Sequence, residues 1–225
     1  MTASLIWKQK LSDIILHGFW RSSAAYRVRI ALNLKAIDYE QRNYVLGKKE
    51  HKTEAFLAKN PQGLVPTLEV DGKIITQSLT IIEYLDHIKA ENRLLPLDPH
   101  ERARVQSIAY AIACEIHPLN NLRILLYLKN DFGQDQDAVN SWYRHWVAEE
   151  FTALEKKLNT ETETGTFCHG DKPGFADCFL IPQIYNAQRF GCDLSDYPTI
   201  MCINDACLAQ DAFKDAVPES QPDAL

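Results

Sequence analysis

Residues 65–76 read VPTLEVDGKIIT and carry the clearest local signal in this 225-residue sequence. Two short runs rich in β-branched residues flank Asp71-Gly72, a dipeptide that two-residue hairpin turns favour. The stretch therefore predicts two antiparallel strands. An apolar helical pattern follows from residue 78 to His87, and Ser78 is expected to be the N-cap of that helix.

The sequence before the hairpin adds two strands and two helices. Residues 14–19 form a short apolar run that is typical of a buried strand. A turn at residues 20–23, WRSS, offers serines of N-cap type, and apolar residues then recur at helical spacing. Residues 39–45 predict a second strand and residues 53–58 a short helix. The first 90 residues therefore have the order βαβαββα.

The apolar period is helical throughout the second half of the chain. Helices are expected at residues 100–129, 138–159, 175–190 and 197–209, and Pro118 should kink the first of them. The expected divisions are an N-terminal extension at 1–13, an α/β domain at 14–93, a linker at 94–100, an all-helical domain at 101–217 and a loose polar tail at 218–225.

Composition narrows the classes of function. The chain has 24 basic and 30 acidic residues, a formal net charge of −6 at pH 7, without the concentrated positive stripe that nucleic-acid binding needs. No run of about 18 apolar residues indicates a membrane span. All six cysteines lie after residue 113 without the spacing of a dithiol or zinc site, so we expect free thiols and no metal. The N-terminal apolar patch is too short for a secretory signal, so we expect a cytoplasmic protein.

Two predicted helix N-termini are suited to bind an anion. Arg21, Ser22 and Ser23 lie where the first strand meets the first helix, and their donors would favour a thiolate there. Ser78 opens the other helix, and a cis bond before Pro66 would leave the backbone of Val65 free to pair with an extended ligand. Plain serine capping and a turn proline explain each feature taken singly, but their occurrence in one βαβαββα unit favours a binding site.

Several motifs resemble those of the zeta-class glutathione transferases. They are FWRSS at residues 19–23, NPQGLVP at 60–66, QS at 77–78 with IIEYL at 81–85, and HPLNN at 117–121. The likeness runs from about residue 14 to residue 218 and is greatest to the maleylacetoacetate and maleylpyruvate isomerases of that class. It implies a thioredoxin-like domain that binds glutathione, an all-helical domain that forms the second substrate's pocket, and a homodimer.

The resemblance also implies roles for individual residues. Ser22 matches the thiolate-activating serine, with Arg21 and Ser23 beside it, and Ala24 stands where many members have cysteine. The implied glutathione-binding residues are Val65 for the cysteinyl backbone, Gln77 and Ser78 for the γ-glutamyl carboxylate, His51 and Gln62 for the glycyl end, and Glu115 for the γ-glutamyl amine. His117, Asn121, Arg123 and Arg189 are the candidate substrate-binding residues, with His117 and Asn121 expected on one helix face and Arg189 ranked above Arg123 as a carboxylate clamp.

The resulting hypothesis is a glutathione-dependent cis–trans isomerase. It would convert maleylacetoacetate or maleylpyruvate, both small diacids, to the fumaryl isomer by reversible addition of a thiolate. Two alternatives stay open: a glutathione transferase that conjugates or dehalogenates small electrophiles, and a non-catalytic glutathione-binding protein. The named residues suit both diacids equally.

Overall fold

The N-terminal half of the protein is built on a four-stranded mixed sheet. The computed structural model describes residues 13–224. The strands are β1 (Ile14–Gly18), β2 (Glu40–Asn43), β3 (Thr67–Val70) and β4 (Lys73–Thr76), in the order β2-β1-β3-β4. β1 is parallel to β2 and antiparallel to β3, and β3 is antiparallel to β4. Leu16 and Leu68 lie opposite each other in the β1–β3 register, and both are buried in the core.

Three helices complete this half and confirm the predicted βαβαββα order and the thioredoxin-like fold. They are α1 (Ser23–Leu34), α2 (Glu54–Leu57) and α3 (Ser78–Ile88). The hairpin is also confirmed: Asp71 and Gly72 have φ values of 48° and 77°, and a two-residue turn with positive φ at both positions matches the twist of the flanking strands.

The second half is helical, as expected. Its helices are α4 (Pro99–Tyr110), a π-helical segment at Ala111–Ile116, α5 (His117–Leu119), α6 (Leu122–Asn130), α7 (Gln136–Thr160), α8 (Phe175–Arg189), α9 (Pro198–Leu208) and α10 (Asp211–Lys214). α8 packs against α1, α4 and α9, so it joins the two halves through one core.

The prediction of one helix over residues 100–129 is wrong. The chain leaves helical geometry at Asn120 and Asn121, and Asn121 is the N-cap of α6, with its side chain accepting a hydrogen bond from the backbone N–H of Arg123 at 3.2 Å. Pro118 lies in α5, which continues directly from the π-helical segment in right-handed helical geometry, so its missing N–H falls inside a continuous helical run. The asparagines therefore break the helix, because their side chains compete with the backbone for hydrogen bonds.

The packing at the start of α8 explains why residue 174 is glycine. Asp177 is buried and accepts hydrogen bonds from the backbone N–H groups of Gly174 at 2.8 Å and Cys168 at 3.0 Å, so it is a structural carboxylate. A Cβ atom at position 174 would lie 3.0 Å from the carbonyl oxygen of Leu94. The close approach of these two backbones accounts for glycine at the cap.

The segment between the two halves is partly buried. Leu94 and Leu95 belong to the core, and their backbone N–H groups donate to the carboxylate of Asp86 at 2.7 and 3.3 Å. The same carboxylate pairs with the buried ammonium of Lys35 at 2.9 Å. α4 begins at Pro99, inside the predicted linker of residues 94–100.

Residues 218–224 do not form a loose tail, which corrects that prediction. Pro218–Ser220 forms one 3₁₀ turn, and the buried Gln221 donates to the carbonyl oxygens of Asp215 at 3.0 Å and Val217 at 2.8 Å. Of the predicted extension, residues 1–12 lie outside the described residues. All six cysteines are free thiols. No helix in the described part of the chain is long and apolar enough to cross a membrane.

Candidate active site

A cleft lies between the sheet domain and the helices that follow it, with a volume of about 180 Å³. The first half of the chain lines it with the start of α1, the loop before β3 and the start of α3. The second half contributes the π-helical segment, α5 and the cap of α6. Seven of the predicted site residues line this one cleft: Gln62, Val65, Gln77, Ser78, His117, Asn121 and Arg123.

The turn before α1 lies at the edge of the cleft. Ser22 is the half-buried N-cap, and its Oγ accepts a hydrogen bond from the backbone N–H of Ala25 at 3.3 Å. The O–H of Ser22 therefore keeps its proton for another acceptor. Ser23 is buried beside it, and Ala24 lines the cleft where many relatives are expected to have cysteine. Arg21 is exposed, with its guanidinium 5.0 Å from the centre of the Trp20 ring.

The start of α3 differs from the prediction. Gln77, at φ 69°, is the N-cap, and Ser78 is the first helical residue, so the assignment of Ser78 as the cap is wrong. The side chain of Gln77 donates to Oε1 of Gln62 at 3.0 Å, which ties the helix start to the loop before β3. Ser78 is buried, and its Oγ accepts a hydrogen bond from Nη1 of Arg27 at 3.3 Å.

The backbone of Val65 and the ring of His51 carry polar atoms without hydrogen-bond partners in the described residues. The Val65–Pro66 peptide bond is cis, and within residues 13–224 the backbone N–H and C=O of Val65 have no hydrogen-bond partner. Nδ1 of His51 is buried, also without a partner in the described residues. Burial and the charge of Lys52 lower the pKa of His51. His51 lies near the loop of Gln62, whose carbonyl oxygen accepts from Nζ of Lys52 at 3.0 Å.

His117 lies on the opposite side of the cleft. Its Nδ1 lies 3.4 Å from Oγ of Ser23, and its Nε2 lies 3.5 Å from Nδ2 of Asn121. Burial lowers the pKa of His117 to about 3, and the positive charges of Arg27 and Arg123 add to this effect. His117 and Asn121 therefore meet, but not on one helix face as predicted, because Asn121 caps the next helix.

Arg189 and Arg21 form a second positive group, outside the set of residues that line the cleft. Burial lowers the pKa of Arg189, and the positive charge of Arg21 lowers it further. Arg189 donates to Oδ1 of Asn186 at 3.1 Å. Next to them, the Tyr185 hydroxyl donates to Oε1 of Glu219 at 2.6 Å. Burial and the hydrogen bond to Glu219 raise the pKa of Tyr185 to about 12.

Glu115 is a predicted glutathione-binding residue that the structure leaves outside the lining of the cleft. It is exposed on the π-helical segment and does not line the cleft. Its negative charge helps to raise the pKa of Glu150 on α7, after the larger effect of burial.

Arg27 lines the cleft and was not predicted from the sequence as a site residue. It is 1% exposed and lies among core residues of α1. A charged residue flanked by Tyr26, Val28 and Ile30 in an apolar helix was the available signal. Among the described residues, no group of three or more His, Cys, Asp or Glu side chains is arranged to hold a metal ion.

Comparison with known proteins agrees with this geometry. Residues 12–87 match the family described as the glutathione S-transferase N-terminal domain. The chain is 45% identical to the maleylpyruvate isomerase of Ralstonia sp, over 93% of this chain and 99% of that protein. It is 47% identical to a probable maleylacetoacetate isomerase of Vibrio cholerae, over 95% of this chain and 100% of that protein.

Solved structures of such isomerases are also similar to this chain. A holo maleylpyruvate isomerase described as a bacterial zeta-class glutathione transferase has a TM-score of 0.92 at 44% identity, covering 94% of this chain and 100% of that one. A maleylacetoacetate isomerase of Methylobacterium extorquens AM1 with bound malonate and glutathione has a TM-score of 0.88 at 41% identity, covering 94% and 99%. This chain belongs to the zeta-class glutathione transferases, in the group that contains the maleylacetoacetate and maleylpyruvate isomerases.

Proposed function

We propose that the protein is a glutathione-dependent cis–trans isomerase of maleylacetoacetate or maleylpyruvate. The observation that carries this proposal is one cleft with two helix N-termini at its edge, Ser22 and Gln77, and cationic side chains on both sides. A site of this kind suits an anionic cofactor and an anionic substrate. The relatives that carry the names of these isomerases, and related structures with bound glutathione, support the same conclusion.

The residues present fit glutathione. The unpaired backbone of Val65 would pair with the cysteinyl unit, and Gln77 and Ser78 would hold the γ-glutamyl carboxylate. The unpaired Nδ1 of His51, together with Gln62, would bind the glycyl end. No cysteine is among the residues that line the cleft. When bound, glutathione supplies the thiolate that adds reversibly to the alkene and gives it temporary single-bond character.

Ser22 is the residue that would stabilise the thiolate. Because its Oγ already accepts from the N–H of Ala25, its proton is free to point toward the sulfur. The N-terminus of α1 adds a partial positive charge at the same place. Together these donors favour the ionised form of a thiol.

Arg21 and Arg189 are the residues we assign to the substrate's carboxylates. The positive charge of Arg21 helps to lower the pKa of Arg189, and a dianion bound to both guanidiniums would offset that repulsion. Arg123, which lines the cleft, is an exposed third cation. Burial keeps His117 neutral near pH 7, so it would orient Ser23 and Asn121 as a hydrogen-bonding group.

The test of this assignment is the kinetics of arginine variants with both diacids. Arg21→Ala and Arg189→Ala should each raise the substrate KM by about tenfold or more, whereas Arg123→Ala should raise it less. Arg93→Ala removes one exposed positive charge elsewhere and is the matched control. An unchanged KM in Arg189→Ala would contradict the clamp. Consumption of glutathione with small electrophiles, without isomerisation of either diacid, would favour the conjugating transferase instead.

We also propose a cytoplasmic homodimer, as the likeness to the zeta class implies. Light scattering on the purified protein should give twice the mass of the 225-residue chain. A monomer that retains full isomerase activity would contradict the dimer.

A further inference from the structure

Helix α1 contains two buried arginines whose surroundings differ sharply. Arg27 and Arg29 are each 1% exposed. Arg29 donates from Nε to the carbonyl oxygen of Ala216 at 3.0 Å and from Nη2 to that of Trp20 at 2.9 Å. The guanidinium of Arg27 has one hydrogen bond, from Nη1 to Ser78, and its Nε and Nη2 are buried with no partner in the described residues.

Arg27 also lacks a counter-charge. No carboxylate within residues 13–224 lies at ion-pair distance from its guanidinium, which instead lies 4.9 Å from the ring centre of Phe179. Burial lowers the pKa of Arg27 to about 9, with Cys114 and Tyr143 as the groups that act in the opposite direction. A buried, unpaired charge costs folding free energy, so a functional reason is needed for its retention.

The charge of Arg27 acts on the cleft. Arg27 lies four residues after Ser23 on α1, so the two side chains share one face of the helix. His117, which contacts Ser23, is held neutral partly by the charge of Arg27. Nε and Nη2 of Arg27 are buried away from solvent, so these atoms do not bind a ligand directly. The guanidinium therefore acts through its electrostatic potential and through its hydrogen bond to Ser78.

We propose that Arg27 is a positioning residue that orients Ser78 and supplies the buried positive charge that stabilises a thiolate bound at the Ser22 turn. The proposal rests on the glutathione site described above. Low solvent access makes this charge effective, because screening by water and salt is weak in the interior. The other charged or titratable groups around the cleft and behind Arg27 are Arg21, Cys114, His117, Arg123, Tyr143, Tyr185, Arg189 and Glu219.

The experiment measures the pKa of the thiol of bound glutathione, from ultraviolet thiolate absorbance, without any substrate. Arg27→Gln keeps a donor for Ser78 but removes the charge, and should raise the pKa of the bound thiol by about one unit or more, a tenfold fall in the ratio of thiolate to thiol at a given pH. Arg27→Lys keeps the charge and should stay near the wild type. Arg93→Gln, which removes an exposed charge away from the cleft, should leave the pKa unchanged.

Protein stability provides a second readout that separates this role from a structural one. Arg27→Gln should raise or preserve the melting temperature because an unpaired buried charge is removed. Arg29→Gln should lower it because two carbonyl oxygens lose their donor. An unchanged thiol pKa in Arg27→Gln, an equal rise in Arg27→Lys, or failure of Arg27→Gln to fold would overturn the proposal. If glutathione does not bind the wild type, the glutathione site itself fails, which is a distinct result.

Discussion

The backbone N–H of Trp20 donates a hydrogen bond to Oδ2 of Asp223 at 3.1 Å. This bond joins the last turn of the chain to the segment that immediately precedes Arg21 and Ser22. Arg29 strengthens the same contact, because it donates to the carbonyl oxygens of both Trp20 and Ala216. The C-terminal segment is therefore a support for the turn that we assign to catalysis.

Asp223→Ala should loosen this turn. A buried N–H without an acceptor costs about 1–3 kcal/mol, so the free energy of unfolding should fall by about that amount, and glutathione should bind more weakly. Asp223→Asn keeps an oxygen acceptor and should lose less than half as much. Denaturant titration and calorimetry measure both effects. Asp215→Ala, at an exposed carboxylate of the same segment, is the control; equal losses in Asp215→Ala and Asp223→Ala would contradict the support role.

Ser22→Ala should reduce turnover much more than it reduces glutathione affinity. The hydroxyl acts on the ionised sulfur, whereas most of the binding contacts lie elsewhere in the cleft. The loss of the cap at Ala25 should also lower the free energy of unfolding by about 1 kcal/mol. Steady-state kinetics and equilibrium binding at one temperature separate the two quantities. Equal losses of kcat and affinity would remove the assigned role of Ser22.

Ala24→Cys restores the residue that many zeta-class members are expected to have at this position. Ala24 is buried and lines the cleft, so the new thiol would enter the site. Because Ser22 and the helix N-terminus are assigned to the thiolate, kcat/KM should stay within about threefold of the wild type, less than 1 kcal/mol of barrier. Ala24→Ser is the matched control for size. A gain of tenfold or more in Ala24→Cys alone would show that the site lacks a catalytic thiol.

His117 should make the protein less stable in acid. Its pKa is lowered to about 3 in the folded state, so between about pH 3 and 6.5 the unfolded chain binds more protons there. Stability therefore rises with pH across this window and falls on acidification, by at most about 1.4 kcal/mol per pH unit for this group. His117→Gln should flatten the acid limb of stability measured by denaturant titration. The control variant His100→Gln, at an exposed histidine, should leave the acid limb unchanged. An identical acid limb in wild type and His117→Gln would contradict the lowered pKa of His117.

The features that depend on neighbouring residues in the sequence, such as turns and helix caps, could be predicted. The hairpin depends on the positive φ of two adjacent residues, which Asp71 and Gly72 adopt readily, and Ser22 is a cap because its own hydroxyl reaches the backbone of α1. The motifs at residues 60–66 and 77–78 also indicated a shared cleft, although their roles in binding stay predictions.

Other features of the fold and of the site depend on contacts between residues that are distant in the sequence, so the sequence did not predict them. Gln77, not Ser78, caps α3, and Gln77 takes a positive φ where its side chain meets Gln62 from another loop. The incomplete hydrogen bonding of the Arg27 guanidinium depends on its burial against Phe179 of α8 and Ser78 of α3, which only the structure shows. The folded C-terminal turn likewise depends on Trp20, about 200 residues away along the chain.

The isomerase assignment is tested by the initial rate of maleylacetoacetate isomerisation with and without catalytic glutathione, with free thiol counted at the end. We expect turnover only when glutathione is present, and a thiol concentration that is the same at the start and at the finish. If maleylacetoacetate is inert, maleylpyruvate is assayed in the same way. Stoichiometric loss of thiol, or no glutathione-dependent turnover of either diacid, would contradict the isomerase.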